Sequence, residues 1–196
     1  MLVDTVAMLR ERGYGANASN QFDQLLDDYD LREVDLVIFG GMVPPEKKER
    51  LQTEIRNLNP RVTFMQGLGG VAPLLVAQVE EFFSDAAPGI EFDATSRVIH
   101  LKLDDVAPVV VEGIWGTFVP PEPVGHTVTA FEGELGAGEH EIPIPDEVPF
   151  ESSFATTRVG NRVSVMQIGA TPQAVRRIVP GSLPAPEPVS TRLPWA

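Results

Sequence analysis

The sequence predicts an α/β segment followed by an all-β segment: a truncated doubly wound parallel sheet, then a β-sandwich-like domain. Three observations lead there. Leu36, Val37, Ile38 and Phe39 are consecutive apolar residues, a run that suits a parallel strand covered on both faces. Apolar stripes at helical spacing alternate with such runs through the first part of the chain. Past Pro88 the pattern changes to short segments, many alternating with period two, and no helical stripe returns for about 75 residues. The expected organisation is an α/β domain over residues 1–88, a β-sandwich-like domain over 89–170 and a Pro-rich tail over 171–196.

Each element follows from local chemistry. Residues 1–12 carry Leu2, Val3, Val6 and Leu9 on one helical face, and Gly13 is placed to end that helix. The chain thus opens on a helix where a doubly wound domain has its first strand. Residues 14–18 occupy the place of a short edge strand. Ser19 or Asn20 can cap a helix bearing Phe22, Leu25, Leu26 and Tyr29. Residues 35–41 form the buried strand, with Ile38 and Phe39 expected in the core. Pro44 and Pro45 open a helix through Leu58, with Leu51, Ile55 and Leu58 inward, and Asn59-Pro60 stops it. Residues 61–66 are the next strand, and the turn at 67–70 leads to a helix carrying Leu74, Leu75, Val79, Phe82 and Phe83.

In the second half, strands are predicted at 98–103, 108–118, 127–133, 140–144, 154–159 and 162–168. Gly160-Asn161 reads as a tight hairpin turn, and Gly136-Ala137-Gly138 as another. The stretch 180–196 holds five prolines and is expected to be extended.

Composition narrows the function classes. The chain has no cysteine, which removes disulfides, thiolate nucleophiles and zinc-thiolate sites. No apolar run is long enough to span a bilayer, and the start lacks the basic and apolar pattern of a signal peptide, so a soluble cytoplasmic protein is expected. The formal charge of −13 sets the chain against nucleic acid and anionic membranes as partners. Residues 91–169 are the most acidic part, with 13 acidic and 4 basic side chains, whereas residues 170–196 carry 1 and 3.

Three stretches carry a family resemblance: LRERGYGANAS, VDLVIFGGMVP and EIRNLNPRVTFM. Together, over residues 9–83, they resemble a response-regulator receiver domain, a flavodoxin-like module of phosphoryl signalling. The resemblance implies an acceptor aspartate at the end of the third family strand, an acidic pair holding Mg²⁺, a hydroxyl after the fourth strand and a lysine near the fifth. Here Gly40 stands at the acceptor position and Gly67 at the hydroxyl position. The acidic pair belongs after the missing strand, and Lys102 is a poor substitute for the lysine. What the resemblance implies is therefore a degenerate receiver unable to accept a phosphoryl group. The β-rich part, through FEGELGAGEHEIPIP and RVGNRVSVM, is similar to immunoglobulin or fibronectin-like modules and implies no specific ligand.

Candidate sites are few. Gly67, Gly69 and Gly70 follow one strand, and Gly40 and Gly41 follow its neighbour, where doubly wound folds bind anions at free backbone N–H groups. The spacing matches neither a dinucleotide fingerprint nor a Walker loop. His140 lies between Glu139 and Glu141, but residues adjacent on a strand face opposite ways, so no metal site is expected. Asp104 and Asp105, with Glu112, read as a turn and a strand residue rather than a hydrolytic pair, and no serine sits in a nucleophile elbow. Trp115 and Phe118 beside a Pro-rich loop offer either a docking patch or a buried pin for the sandwich. The leading expectation is a non-enzymatic regulatory or protein-interaction protein without a cofactor, forming a homodimer. The alternative is a nucleotide- or small-molecule-binding enzyme using the Gly67–Gly70 end of the sheet.

Overall fold

A computed structural model describes residues 1–85, 89–119, 122–171 and 188, apart from the side chains of 118, 119 and 122. Two compact units result: Met1–Ala72 belongs to one and Pro73–Arg177 to the other. The division falls between Ala72 and Pro73, at the start of the helix predicted to close the α/β domain.

The first unit opens with α1 (Leu2–Glu11), which buries Val6 and Leu9. Gly13 adopts φ +85°, its N–H donates to Arg10 O and the Tyr14 N–H to Leu9 O. That pair of bonds is a Schellman motif, and it needs the left-handed conformation glycine supplies. The edge strand expected at 14–18 is absent. Arg10 holds this stretch as a loop, donating from Nε to Ala16 O (3.0 Å) and from Nη2 to Asn17 Oδ1 (2.9 Å).

The next helix is also shorter than expected. Ser19 Oγ accepts from the Gln21 N–H (2.9 Å), which makes a local turn instead of a helix cap. Only Leu25–Asp28 is helical (α2). Phe22, Leu25, Leu26 and Tyr29 nevertheless pack as predicted, against a core of Leu31, Phe39, Leu51, Ile55 and Val62. Burial, rather than helix length, is what their apolar spacing encoded.

The centre of the unit is one β–α–β crossover. Strands β1 (Leu36–Phe39) and β2 (Thr63–Gln66) are parallel, with Phe39 opposite Gln66, and α3 (Pro45–Leu58) joins them. Leu51 and Ile55 of α3 are buried, but Leu58 is 51% exposed, against expectation. The chain turns inward one residue later. Asn59 leaves the helix in an extended conformation and is itself buried. Its Nδ2 donates to Leu31 O (3.1 Å) and Val34 O (2.8 Å), while Oδ1 accepts from the Arg61 N–H (3.1 Å). One amide thus stops α3 and fixes the approach to β1. Ile38 is half-buried, whereas Phe39 is buried, so of the two expected core residues Phe39 is the anchor.

The second unit holds α4 (Ala72–Phe83) and seven strands: β3 (Ile90–Asp93), β4 (Val98–Leu103), β5 (Ala107–Val119), β6 (Glu122–Leu135), β7 (Gly138–Pro143), β8 (Ser153–Val159) and β9 (Arg162–Gln167). Strand β3 was not anticipated, since IEFD has a single alternation and sits directly after Gly89. The strands form two antiparallel sheets, ordered β3-β4-β7 and β6-β5-β8-β9. The β8–β9 hairpin turns at Gly160, φ +61°, as expected. Gly136–Gly138 is not a hairpin turn: β6 belongs to one sheet, β7 pairs with β4 in the other, and Gly138 (φ +128°) carries the chain between them.

Alternation assigns the faces. Ile99, Leu101 and Leu103 of β4, Ile142 of β7, Val109 and Val111 of β5 and Ala155 of β8 join one apolar cluster, so both sheets contribute to the same core. Gly113 lies on the same face of β5, and a Cβ there would collide with Val148, so its lack of a side chain is a packing requirement. Among the described residues, no helix is long and apolar enough to cross a membrane.

Candidate functional site

Parallel register brings the two glycine turns together. Phe39 and Gln66 are the last paired residues of β1 and β2, so Gly40 and Gly67 leave the sheet side by side at its carboxyl edge. The first turn of α3 begins a few residues beyond, at Pro45. This is the location in which open α/β sheets bind ligands, and all five predicted glycines fall on its two turns.

Several polar groups at that edge are bonded to one another. The Gly67 N–H donates to Phe39 O (3.0 Å) and the Val43 N–H to Gly40 O (3.3 Å), so these two backbone donors are engaged within the fold. Gln66 Nε2 donates to Phe39 O (2.7 Å). Its Oε1 accepts from Lys48 Nζ, and the ammonium group also lies 5.8 Å from the centroid of the Phe39 ring. The Lys48 cation is therefore engaged by a neutral amide and an aromatic face. The sequence reading did not single out Lys48 and Gln66. Their signal was positional: the first turn of a crossover helix and the last residue of the adjacent strand meet at the same edge.

Neither Gly40 nor Gly41 is required by packing, because a Cβ at either would meet nothing within 4 Å. Met42, in the same turn, is 80% exposed. Beside the Lys48 ammonium, the edge thus presents an exposed, partly apolar turn.

The second candidate lies on β5 and β6. Trp115 is half-buried and packs against the core cluster. Its indole stacks on His126 of the opposite strand, with centroids 5.2 Å apart and planes at 17°. Thr117 Oγ1 lies 2.7 Å from His126 Nε2. Trp115 thus packs against both the core cluster and His126. The side chain of Phe118 lies outside the described residues.

His140 turns away from Glu139 and Glu141, its Nε2 2.8 Å from Gly136 O. His100 lies on the opposite, exposed face, with Nδ1 3.8 Å from Glu141 Oε1. Among the described residues, no group of three or more His, Cys, Asp or Glu side chains could hold a metal ion. Asp104 and Asp105 occupy the bend between β4 and β5.

Glu112 has a different role. Its Oε2 accepts from Arg158 Nη1 (2.6 Å) and from Thr156 Oγ1 (3.3 Å), while Arg158 Nη2 donates to Glu80 of α4 (2.6 Å). The guanidinium is held above its ordinary pKa: burial lowers it, but the hydrogen bond and charge of Glu80 and the charge of Glu112 outweigh that. The signal in sequence was a charged residue between Val110 and Ile114 on an otherwise apolar strand. No protein-family model, curated protein or solved structure matches the chain.

Proposed function

We propose that the chain is a non-enzymatic regulatory or protein-interaction protein. Its α/β half is a receiver-like module without a phospho-acceptor, and its second half is a sandwich-like partner domain. One observation carries this reading: at the carboxyl edge of the parallel sheet, Gly40 stands beside a Lys48–Gln66 pair that satisfies itself. Phosphoryl transfer needs a nucleophile and a cation clamp there, and residues 40–43 supply Gly, Gly, Met and Val.

Incubation with acetyl phosphate and Mg²⁺, followed by intact mass measurement, gives no added phosphoryl group on this reading. A stoichiometric adduct lost on mild base treatment overturns it. Calorimetric titration with ATP and Mg²⁺ separates the alternative: saturable one-to-one binding would assign the Gly67–Gly70 turn to a nucleotide.

The partner in this reading is first of all a second copy of the chain. Strand β6 lies at the edge of its sheet, and residues 123–131 (PVGHTVTAF) contain no Lys, Arg, Asp or Glu. Antiparallel pairing of two such edges about a twofold axis at Thr127 sets Thr127 opposite its mate, a favourable cross-strand pair.

A further inference from the structure

The two edges of the four-stranded sheet are treated differently. In an antiparallel strand, alternate residues direct their N–H and C=O groups outward, and at a sheet edge these groups are a template for another strand. On β9, the outward set includes Val163 and Val165, and both are taken. The Val163 N–H donates to Ser84 Oγ (3.1 Å). The Ser84 hydroxyl proton is shared between Val163 O (3.3 Å) and Glu81 O (3.1 Å). The Val165 N–H donates to Glu81 Oε1 (2.8 Å).

We infer that the last turn of α4 is an intramolecular guard on β9, with Glu81 and Ser84 filling the hydrogen-bonding positions through which another strand would extend the sheet.

The chemistry matches what an incoming strand would offer. A hydroxyl both donates and accepts, so Ser84 reproduces the N–H and C=O of one peptide unit at Val163. A carboxylate only accepts, and Glu81 meets a lone N–H at Val165 with a charge-assisted bond. The spacing matches too. Residues three apart on a helix lie about 5–6 Å from each other at Cβ, and alternate residues of a strand are about 6.8 Å apart. The longer reach of Glu81 covers the difference.

Helix energetics point the same way. Glu80 and Glu81 occupy the last turn of α4, which has no basic residue and where the helix dipole disfavours carboxylates. Their stabilisation comes from the sheet: Glu80 from Arg158 on β8, Glu81 from the Val165 amide on β9. The two bonds bind one helical turn across adjacent strands. At the opposite edge, no described residue gives β6 a comparable guard. This inference stands independently of the proposed dimer, because it concerns the other edge.

Amide hydrogen exchange on the full chain, resolved by NMR, tests it. In Ser84→Ala the Val163 amide should exchange about tenfold faster, and in Glu81→Ala the Val165 amide likewise, as expected for loss of one hydrogen bond. Amides of β8 should keep their protection in both variants, and Ser84→Thr should restore Val163. The double variant should self-associate more strongly than the parent, and Val165→Pro added to it should abolish that gain by removing the exposed donor. Unchanged exchange at both amides would overturn the inference. So would equal loss of protection throughout β8 and β9, which would make the two side chains general supports of the fold.

Discussion

Arg158 Nη2 lies 2.6 Å from Glu80 Oε2, an ion pair that ties β8 to α4. The side chains are 24% and 15% exposed, and the second partner, Glu112, is 25% exposed. These charges are largely withdrawn from water, so each depends on the others for its solvation. Replacing Arg158 with Ala leaves two half-buried carboxylates facing each other without a cation. Full burial would make that loss about 3–5 kcal/mol; the residual exposure brings the expected cost to about 2–3 kcal/mol. Urea denaturation of R158A checks it, and a midpoint equal to the parent's would show that the pair is energetically idle.

In the α/β unit, Phe39 is 5% exposed and stacks on Phe64 with centroids 5.9 Å apart. Phe39→Ala should cost about 3–5 kcal/mol through lost burial and the cavity left behind. Ile38→Ala should cost clearly less, because its side chain is only half-buried. Equal shifts in the denaturation midpoints of the two variants would contradict the assignment of Phe39 as the anchor of β1.

These two strands also show what could be read in advance. Leu36–Phe39 was legible because a parallel strand needs four apolar residues in a row, and α3 because Pro45, the Leu51/Ile55 spacing and Asn59 act locally. Gly13 and Gly160 were legible for the same reason: each serves a turn defined by its own neighbours. Residues 14–18 were not, since Arg10 fixes them through bonds formed only once the helix exists. The hairpin assigned to Gly136–Gly138 failed because a glycine turn does not state whether the next strand stays in the same sheet. At the candidate site, the glycines were visible and their setting was not. Lys48 and Gln66 meet through a parallel register, and Arg158, Glu112 and Glu80 come from three elements, so no spacing along the chain records them.

Acid should act last on the exposed carboxylates held by cations. Asp30 has its pKa lowered to about 2, chiefly by the hydrogen bond from the Arg32 side chain and then by the Arg32 backbone N–H. Asp23 is lowered as well, first by Lys47 and then by Arg50. A depressed folded-state pKa means the folded chain favours the charged form. Its contribution is complete above the unfolded value of 3.8 and disappears as pH falls through the folded value of about 2. Carboxyl chemical shifts followed by NMR should therefore show Asp30 titrating near 2 in the folded chain, and moved up toward its ordinary value in Arg32→Gln, which keeps only the backbone bond. An Asp30 midpoint near 4 in the parent would mean that the pair does not persist in solution.

The proposed dimer makes the last prediction, and its salt dependence separates it from nonspecific association. The formal charge of −13 makes two copies repel. Added salt shortens the Debye length from about 10 Å at 0.1 M to about 3 Å at 1 M, so a contact made by backbone bonds at an uncharged edge should tighten as salt rises. A contact held by ion pairs would loosen instead. Sedimentation equilibrium at micromolar concentration should reveal a twofold species whose dissociation constant falls between low and high salt. Thr127→Pro, which removes an edge N–H and stiffens the strand at the proposed twofold axis, should return the chain to 21.3 kDa. Thr127→Lys should do the same by placing like charges opposite each other. A single 21.3 kDa species for the parent at every concentration and salt level would reject the dimer. A dimer indifferent to both substitutions would move the interface away from β6.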